Sequence, residues 1–219
     1  MFTRESILGI LLSIPGLLLA ISMHEAAHGY AAYFMGDNTA KYQGRLSLNP
    51  LHHLDPMGAL CMLLFRFGWA KPVPINPFHF RNRRLGIIVV SLAGPLANFL
   101  LGFISTVLYY AMAYLGTVFA GFSAPAEFLM LIFQMSVYMN VGLMIFNLIP
   151  IPPLDGSKIL LEFLPYHAKE TIYRYERYFG MILIILVYVG TLTPVLGFFQ
   201  SFIIRFYDFV CKLIFGLFI

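Results

Sequence analysis

His24-Glu25-Ala26-Ala27-His28 sets two imidazoles four residues apart with a carboxylate between them. On a helix, positions four apart stack on one face, so His24 and His28 can turn two nitrogens toward a single metal ion. Zinc suits such a pair, and a catalytic zinc keeps three protein ligands and one exchangeable water. Glu25 lies about 100° around the helix from His24, near enough to reach a water on the metal without displacing it. That is the place of a general base. The plain alternative is a helix carrying two packed histidines and a stray glutamate. It is the poorer account, because all three polar residues sit in an apolar run from Ile7 to about Met35. An unpartnered ionisable group at mid-bilayer costs at least about 2.5–3.5 kcal/mol.

A third ligand must come from elsewhere in the chain. His79 and His167 lie in loops, where such side chains are ordinarily solvated, and His52, His53 and Asp55 beside a short apolar segment are closer contenders. The strongest candidate is Asp155, near the end of Asn147-Leu148-Ile149-Pro150-Ile151-Pro152-Pro153-Leu154-Asp155-Gly156. Prolines there unwind the end of a span, and Gly156 lets the backbone turn. Broken helices at membrane depth are tolerated where they line a protein or water-filled cavity. The competing role for Asp155 is to cap a helix starting near Ser157; with a metal motif at the same depth, the ligand reading is favoured.

The elements that carry these residues belong to a membrane. The 219 residues are 60% hydrophobic and 11% charged, with a mean hydropathy of +0.81, far outside the range of a soluble globular domain. The net charge of +4 is clustered in a few loops and speaks to topology before partners. No basic face or motif supports binding to nucleic acid. Cys61 and Cys211 lie in apolar segments without framework spacing, so neither a disulfide nor zinc ligation is expected of them. The N-terminal apolar segment runs into the HExxH pattern with no cleavage signature, so the first helix is expected to be retained.

The layout predicts an all-α polytopic membrane protein with about five transmembrane helices, one re-entrant or interfacial segment and a short β-hairpin or strand near 40–48. The spans fall at 7–35, with Pro15-Gly16 bending the first, then 85 to about 115, 128–149, about 171–189 and 195–219. The alternation from Lys41 to Leu48 reads as one or two short strands. Met57 to Phe67 is apolar but too short to cross as a helix, and Pro72, Pro74 and Pro77 keep Lys71 to Phe80 extended. Residues 1–219 read as a single membrane domain, with the catalytic core about 7–156 and C-terminal helices about 157–219.

Basic residues give a test of this layout. Lys41, Arg45, Arg66, Lys71, Arg81, Arg83 and Arg84 fall in 36–84, and Lys158, Lys169, Arg174 and Arg177 in 150–177, while 111–127 and 190–197 hold none. By the positive-inside rule the first two segments are cytoplasmic and the N-terminus is outside. The C-terminal end of the HExxH helix and the Pro-rich stretch then share the cytoplasmic side. This alternation requires that 57–67 does not cross.

These motifs resemble those of the site-2 proteases, which are intramembrane zinc metalloproteases. The matching pieces are HEAAH at 24–28 and NLIPIPPLDG at 147–156; between them, GRLSLNPLHHLDPMG at 44–58, FGWAKPVPINP at 67–77 and AGPLAN at 93–98 are similar to the compact bacterial and archaeal branch without PDZ or CBS domains. Two end motifs in the right order are a specific signal. The resemblance implies that His24, His28 and Asp155 ligate one zinc, that Glu25 is the catalytic base and that Asn147 holds the substrate backbone near the scissile carbonyl. It implies a transmembrane protein as substrate, in a cell (inner or plasma) membrane, and leaves room for a regulatory membrane protein as partner. The strands at 40–48 would pair with an opened substrate as an added edge strand, with 57–67 covering the site. Gly94 to Asn98 reads first as close helix packing, Asn140 as an interhelical hydrogen bond, and His53 and Asp55 as supports of the loop or of the ligands. Rival readings are an intramembrane metal or ion transporter, which has no need of Glu25, and a membrane-anchored zinc peptidase for soluble peptides, which needs a polar substrate-binding domain. A structural subunit leaves the buried polar residues unexplained.

Overall fold

The largely apolar run before Gly36 folds as one helix, α1 (Arg4–Met35). The computed structural model describes residues 4–53, 55–58 and 71–216. After α1 come a single helical turn, α2 (Thr39–Tyr42), and two 3₁₀ turns at Pro50–His52 and Pro77–His79. The long helix α3 (Arg83–Val118) is followed by a 3₁₀ turn at Ala120–Phe122 and by α4 (Ser123–Leu148). The C-terminal part holds α5 (Asp155–Leu161), α6 (Tyr166–Arg174), α7 (Glu176–Val189) and α8 (Thr193–Phe215).

α1 from Leu11, α3 and α4 are each long and apolar enough to cross a membrane, consistent with a multi-pass membrane protein. α7 ends at Gly190, which takes a positive φ of 78°, and the count rises to four if α7 and α8 together make one span. Among the described residues the count is thus three or four, against about five expected. At 14 residues, α7 is about 21 Å long, short of a hydrocarbon core of about 30 Å, and α8 carries Arg205, Asp208 and Lys212. The helix expected from about 171 is broken at Tyr175, where one helix ends and the next begins. The expected re-entrant segment falls largely outside the described residues.

No strand occurs among the described residues, so the strand expected near 40–48 is not formed. Thr39 to Tyr42 closes a helical turn instead, and Gly44 takes a positive φ of 65° that breaks an extended run. The Arg45 side chain then donates to the carbonyls of His52, Lys71 and Pro72, which binds this stretch through a guanidinium where a ladder was expected. The edge-strand clamp built on those strands falls with them.

The chain divides into two compact units. One gathers residues 1–20, 98–145 and 192–219. Its core is Val137, Val141, Met144, Ile145 and Tyr207, with the Tyr207 hydroxyl donating to the Phe99 carbonyl at 2.7 Å. A Cβ on Gly16 would stand 2.7 Å from Ser136 Cα, so α1 and α4 touch nearly backbone to backbone, as small residues allow in membranes. The buried Asn98 amide donates to the Ala20 carbonyl at 2.9 Å and to Asn140 Oδ1 at 3.0 Å, and Asn140 donates on to the Ser136 carbonyl. Asn140 makes the interhelical hydrogen bond expected of it. Replacing Asn98 by alanine strips a donor from Asn140, and the unfolding free energy is expected to fall by about 1–2 kcal/mol, measurable as a lower thermal midpoint in detergent.

The other unit holds residues 21–97 and 146–191. Ala32, Phe80 and Val90 form its small apolar core, with Met35, Ile75 and Ile87 packed on it. Gly36, at φ 112°, turns the chain out of α1, and Asp37 beyond it is fully buried. Its carboxylate accepts from the Thr39 hydroxyl and backbone, from Asn76 N at 2.6 Å and from His79 Nδ1 at 3.0 Å. Burial opposes its charge, but these hydrogen bonds outweigh it and hold the carboxyl below its ordinary value of 3.8. The folded state therefore binds fewer protons than the unfolded one. The stability from Asp37 is complete above the ordinary value and is lost as pH falls through the lower, folded one. A pH series of unfolding midpoints should show this acid limb in the wild type and a flatter one in Asp37→Asn.

Candidate metal centre

HEAAH lies on α1, and the four-residue spacing brings His24 Nε2 and His28 Nε2 to 3.0 Å from each other. Asp155 Oδ2 lies 3.2 Å from the first and 3.0 Å from the second. All three residues are buried. The His28 ring is fixed from behind, since its Nδ1 lies 2.7 Å from the Val90 carbonyl. A carbonyl only accepts, so Nδ1 carries a proton and Nε2 is the nitrogen left to face the triangle.

Asp155 arrives through the proline-rich turn. Pro150, Pro152 and Pro153 have no N–H to continue α4, and short-range bonds from Ile151 to Ile149 and from Leu154 to Ile151 fold the segment back. A Cβ on Gly156 would meet the Leu148 carbonyl oxygen at 2.2 Å, so only glycine lets the turn close on the end of α4. The second carboxylate oxygen of Asp155 accepts from Lys158 Nζ at 2.9 Å. The competing capping role is not what its oxygens do, for Leu154 holds the N-cap position and no side-chain cap bond is made at the start of α5.

The arrangement fits a metal ion. His24, His28 and Asp155 are the one group among the described residues whose ligand atoms converge for metal binding. Ligands about 2.0–2.1 Å from a tetrahedral zinc lie about 3.3–3.4 Å apart, close to the 3.0, 3.0 and 3.2 Å sides found. Two imidazole nitrogens and a carboxylate oxygen are a donor set that a catalytic zinc takes.

Glu25 stands outside this triangle. Its Oε2 accepts from the backbone N–H of Val73 at 2.9 Å, and both line a cavity of about 490 Å³ with His24, His28, Asp155 and Asn147. Pro72 and Pro74 lack an N–H, so Val73 is the one backbone donor of that tripeptide. Arg45 holds the segment by donating to the Lys71 and Pro72 carbonyls. A Cβ on Gly29 would come within 2.8 Å of Leu46 and 3.3 Å of Val73, which lets α1 lie against this wall.

The other contenders for the third ligand are used elsewhere. His53 is fully buried with Nε2 donating to the Ser47 carbonyl at 2.7 Å, Asp55 accepts from the backbone of Met57 and Gly58, and His79 pairs with Asp37. His52 and His167 are exposed. Sequence reasoning missed Val73, Arg45 and Lys158. The Pro-Val-Pro pattern was a usable signal for the first, since it isolates one donor.

The sequence is similar to those of known proteins. Residues 12–189 match peptidase family M50. A protein of Bacillus subtilis (strain 168) named "Putative zinc metalloprotease YwhC" is 41% identical over 177 residues, 80% of this chain and 79% of the relative. Two proteins named "Putative zinc metalloprotease Rip2" are also similar. That of Mycolicibacterium smegmatis is 29% identical over 91% of this chain and 74% of its own length, and that of Mycobacterium tuberculosis (strain ATCC 25618 / H37Rv) is 26% identical over 82% and 67%. No solved structure gives a significant match. The chain belongs to peptidase family M50, the site-2 protease family of membrane metallopeptidases.

Proposed function

We propose that this protein is an intramembrane zinc metalloprotease that hydrolyses peptide bonds in the transmembrane segments of other membrane proteins, near the cytoplasmic face of the cell membrane. The observation that carries the reading is the convergence of His24, His28 and Asp155 on one point, with Glu25 beside them in a shared cavity. The apolar helices and the family support the membrane setting.

His24, His28 and Asp155 would hold the zinc, two neutral nitrogens and one carboxylate. Zinc bound there supplies Lewis acidity, which lowers the pKa of water toward 7 and polarises a carbonyl. Glu25 takes a proton from the attacking water as the new C–O bond forms, and returns it to the leaving nitrogen as the C–N bond breaks. The Val73 N–H aims the Glu25 carboxylate while leaving its other oxygen for that proton. The Asn147 side chain donates to the substrate backbone at the scissile carbonyl and stabilises charge developing on its oxygen. A helical substrate hides its carbonyls in its own hydrogen bonds, so it must unwind before it reaches the cavity.

The basic loops at 36–84 and 150–177 support a cytoplasmic placement of this end of α1, with the N-terminus outside. A regulatory membrane protein is a further partner in this reading. The test is a single-span reporter reconstituted with the purified protein in liposomes. Cleavage should cease on chelation and return on adding zinc; cleavage that survives complete removal of metal would contradict the proposal.

A further inference from the structure

α3 passes the metal centre at Gly94. A Cβ built there would lie 2.5 Å from His28 Nε2, 2.7 Å from His24 Nε2 and 2.6 Å from His24 Cε1. Two of these three atoms are the imidazole nitrogens of the ligand triangle. Zinc sits about 2.0–2.1 Å from a histidine nitrogen, so a methyl group at Gly94 would claim space that an ion shared by those two nitrogens needs. What sets Gly94 apart from other glycines of α3 is the kind of atom it faces: at Gly86 a Cβ would stand 2.3 Å from the Phe80 ring, and at Gly102 it would come no nearer than 3.3 Å to Tyr207. One turn before Gly94 on the same helix, the Val90 carbonyl fixes the His28 tautomer. This stretch of α3 thus gives the site an acceptor at one position and empty space at the next along its face.

We infer that Gly94 is a positioning residue for the metal, which it serves by the absence of a side chain. The inference rests on the zinc metalloprotease reading and adds a residue that no ligand pattern includes. A side chain at Gly94 forces the two imidazoles to turn aside. In the metal-free protein only the His28 bond to Val90 and the contacts to Asp155 resist that turn, whereas with zinc bound both nitrogens are committed. Alanine also favours helix over glycine, so the metal-free fold should not suffer from Gly94→Ala.

The test uses the full chain in detergent, stripped of metal and titrated with zinc, with thermal midpoints taken before and after. Wild type should take one zinc per chain and gain thermal stability on binding. Gly94→Ala should keep the metal-free midpoint, bind zinc about 10–100-fold more weakly and gain less on adding it; Gly102→Ala should behave as wild type. Wild-type zinc affinity in Gly94→Ala would overturn the inference. So would a metal-free midpoint lowered well below wild type, if it stays lowered when Gly94→Ala is placed on a His24→Ala/His28→Ala parent, because packing and not the imidazoles would then be the reason. Relief of the defect on that parent would support it. Wild type that takes no zinc would overturn the metalloprotease reading and this inference together, whereas a zinc-binding wild type with an indifferent Gly94→Ala would overturn the inference alone.

Discussion

Glu25→Gln is expected to reduce cleavage of a single-span reporter by about 10²–10⁴-fold, the range for removal of a general base. That corresponds to about 3–5 kcal/mol of lost transition-state stabilisation. Glutamine has the shape of glutamate, and its carbonyl oxygen can still accept the Val73 N–H that holds Glu25 now, so position is preserved. What is lost is the capacity to take and return a proton. Glu25 lies outside the His24, His28 and Asp155 group, so the variant should retain zinc. Lost cleavage with normal zinc separates base from ligand; retained cleavage would place the base elsewhere.

Gly156→Ala should fail in the opposite manner, losing zinc and cleavage together although Gly156 ligates nothing. The added methyl would stand 2.2 Å from the Leu148 carbonyl oxygen and 2.5 Å from its carbon. These are backbone atoms at the end of α4 and cannot swing aside as a side chain does. The turn must open and carry Asp155 out of the triangle, at a cost of about 3 kcal/mol as for a severe overpacking change. Zinc per chain and the unfolding midpoint of the purified variant check this, and a variant with full zinc content would show that the turn tolerates the methyl.

Much of this centre was legible because its chemistry is local. The i, i+4 spacing of His24 and His28 is a helix-face pattern, and Asp155 stands in a proline-broken stretch where a carboxylate at membrane depth needs a cation. The three long spans follow from apolar runs ended by Gly36-Asp37, by the small-residue stretch near Gly121 and by Pro150. The failures have a common cause, interactions over long sequence distance. The alternating pattern from Lys41 to Leu48 looks like strand, but Arg45 is claimed by carbonyls at His52, Lys71 and Pro72, and nothing local announces those partners. The Glu25 to Val73 bond joins residues 48 positions apart. Gly94 gave only the signature of a small residue in a helix, and its proximity to two imidazole nitrogens needed the fold.

The most direct test of the central claim is X-ray absorption at the zinc edge on the purified wild-type chain, with Asp155→Ala beside it. One zinc per chain, surrounded by two imidazole nitrogens and light oxygen ligands at about 2.0–2.1 Å, is the predicted result, and Asp155→Ala should lose most of the metal. Absence of stoichiometric zinc, sulfur in the coordination shell, or a zinc signal unchanged by Asp155→Ala would contradict it.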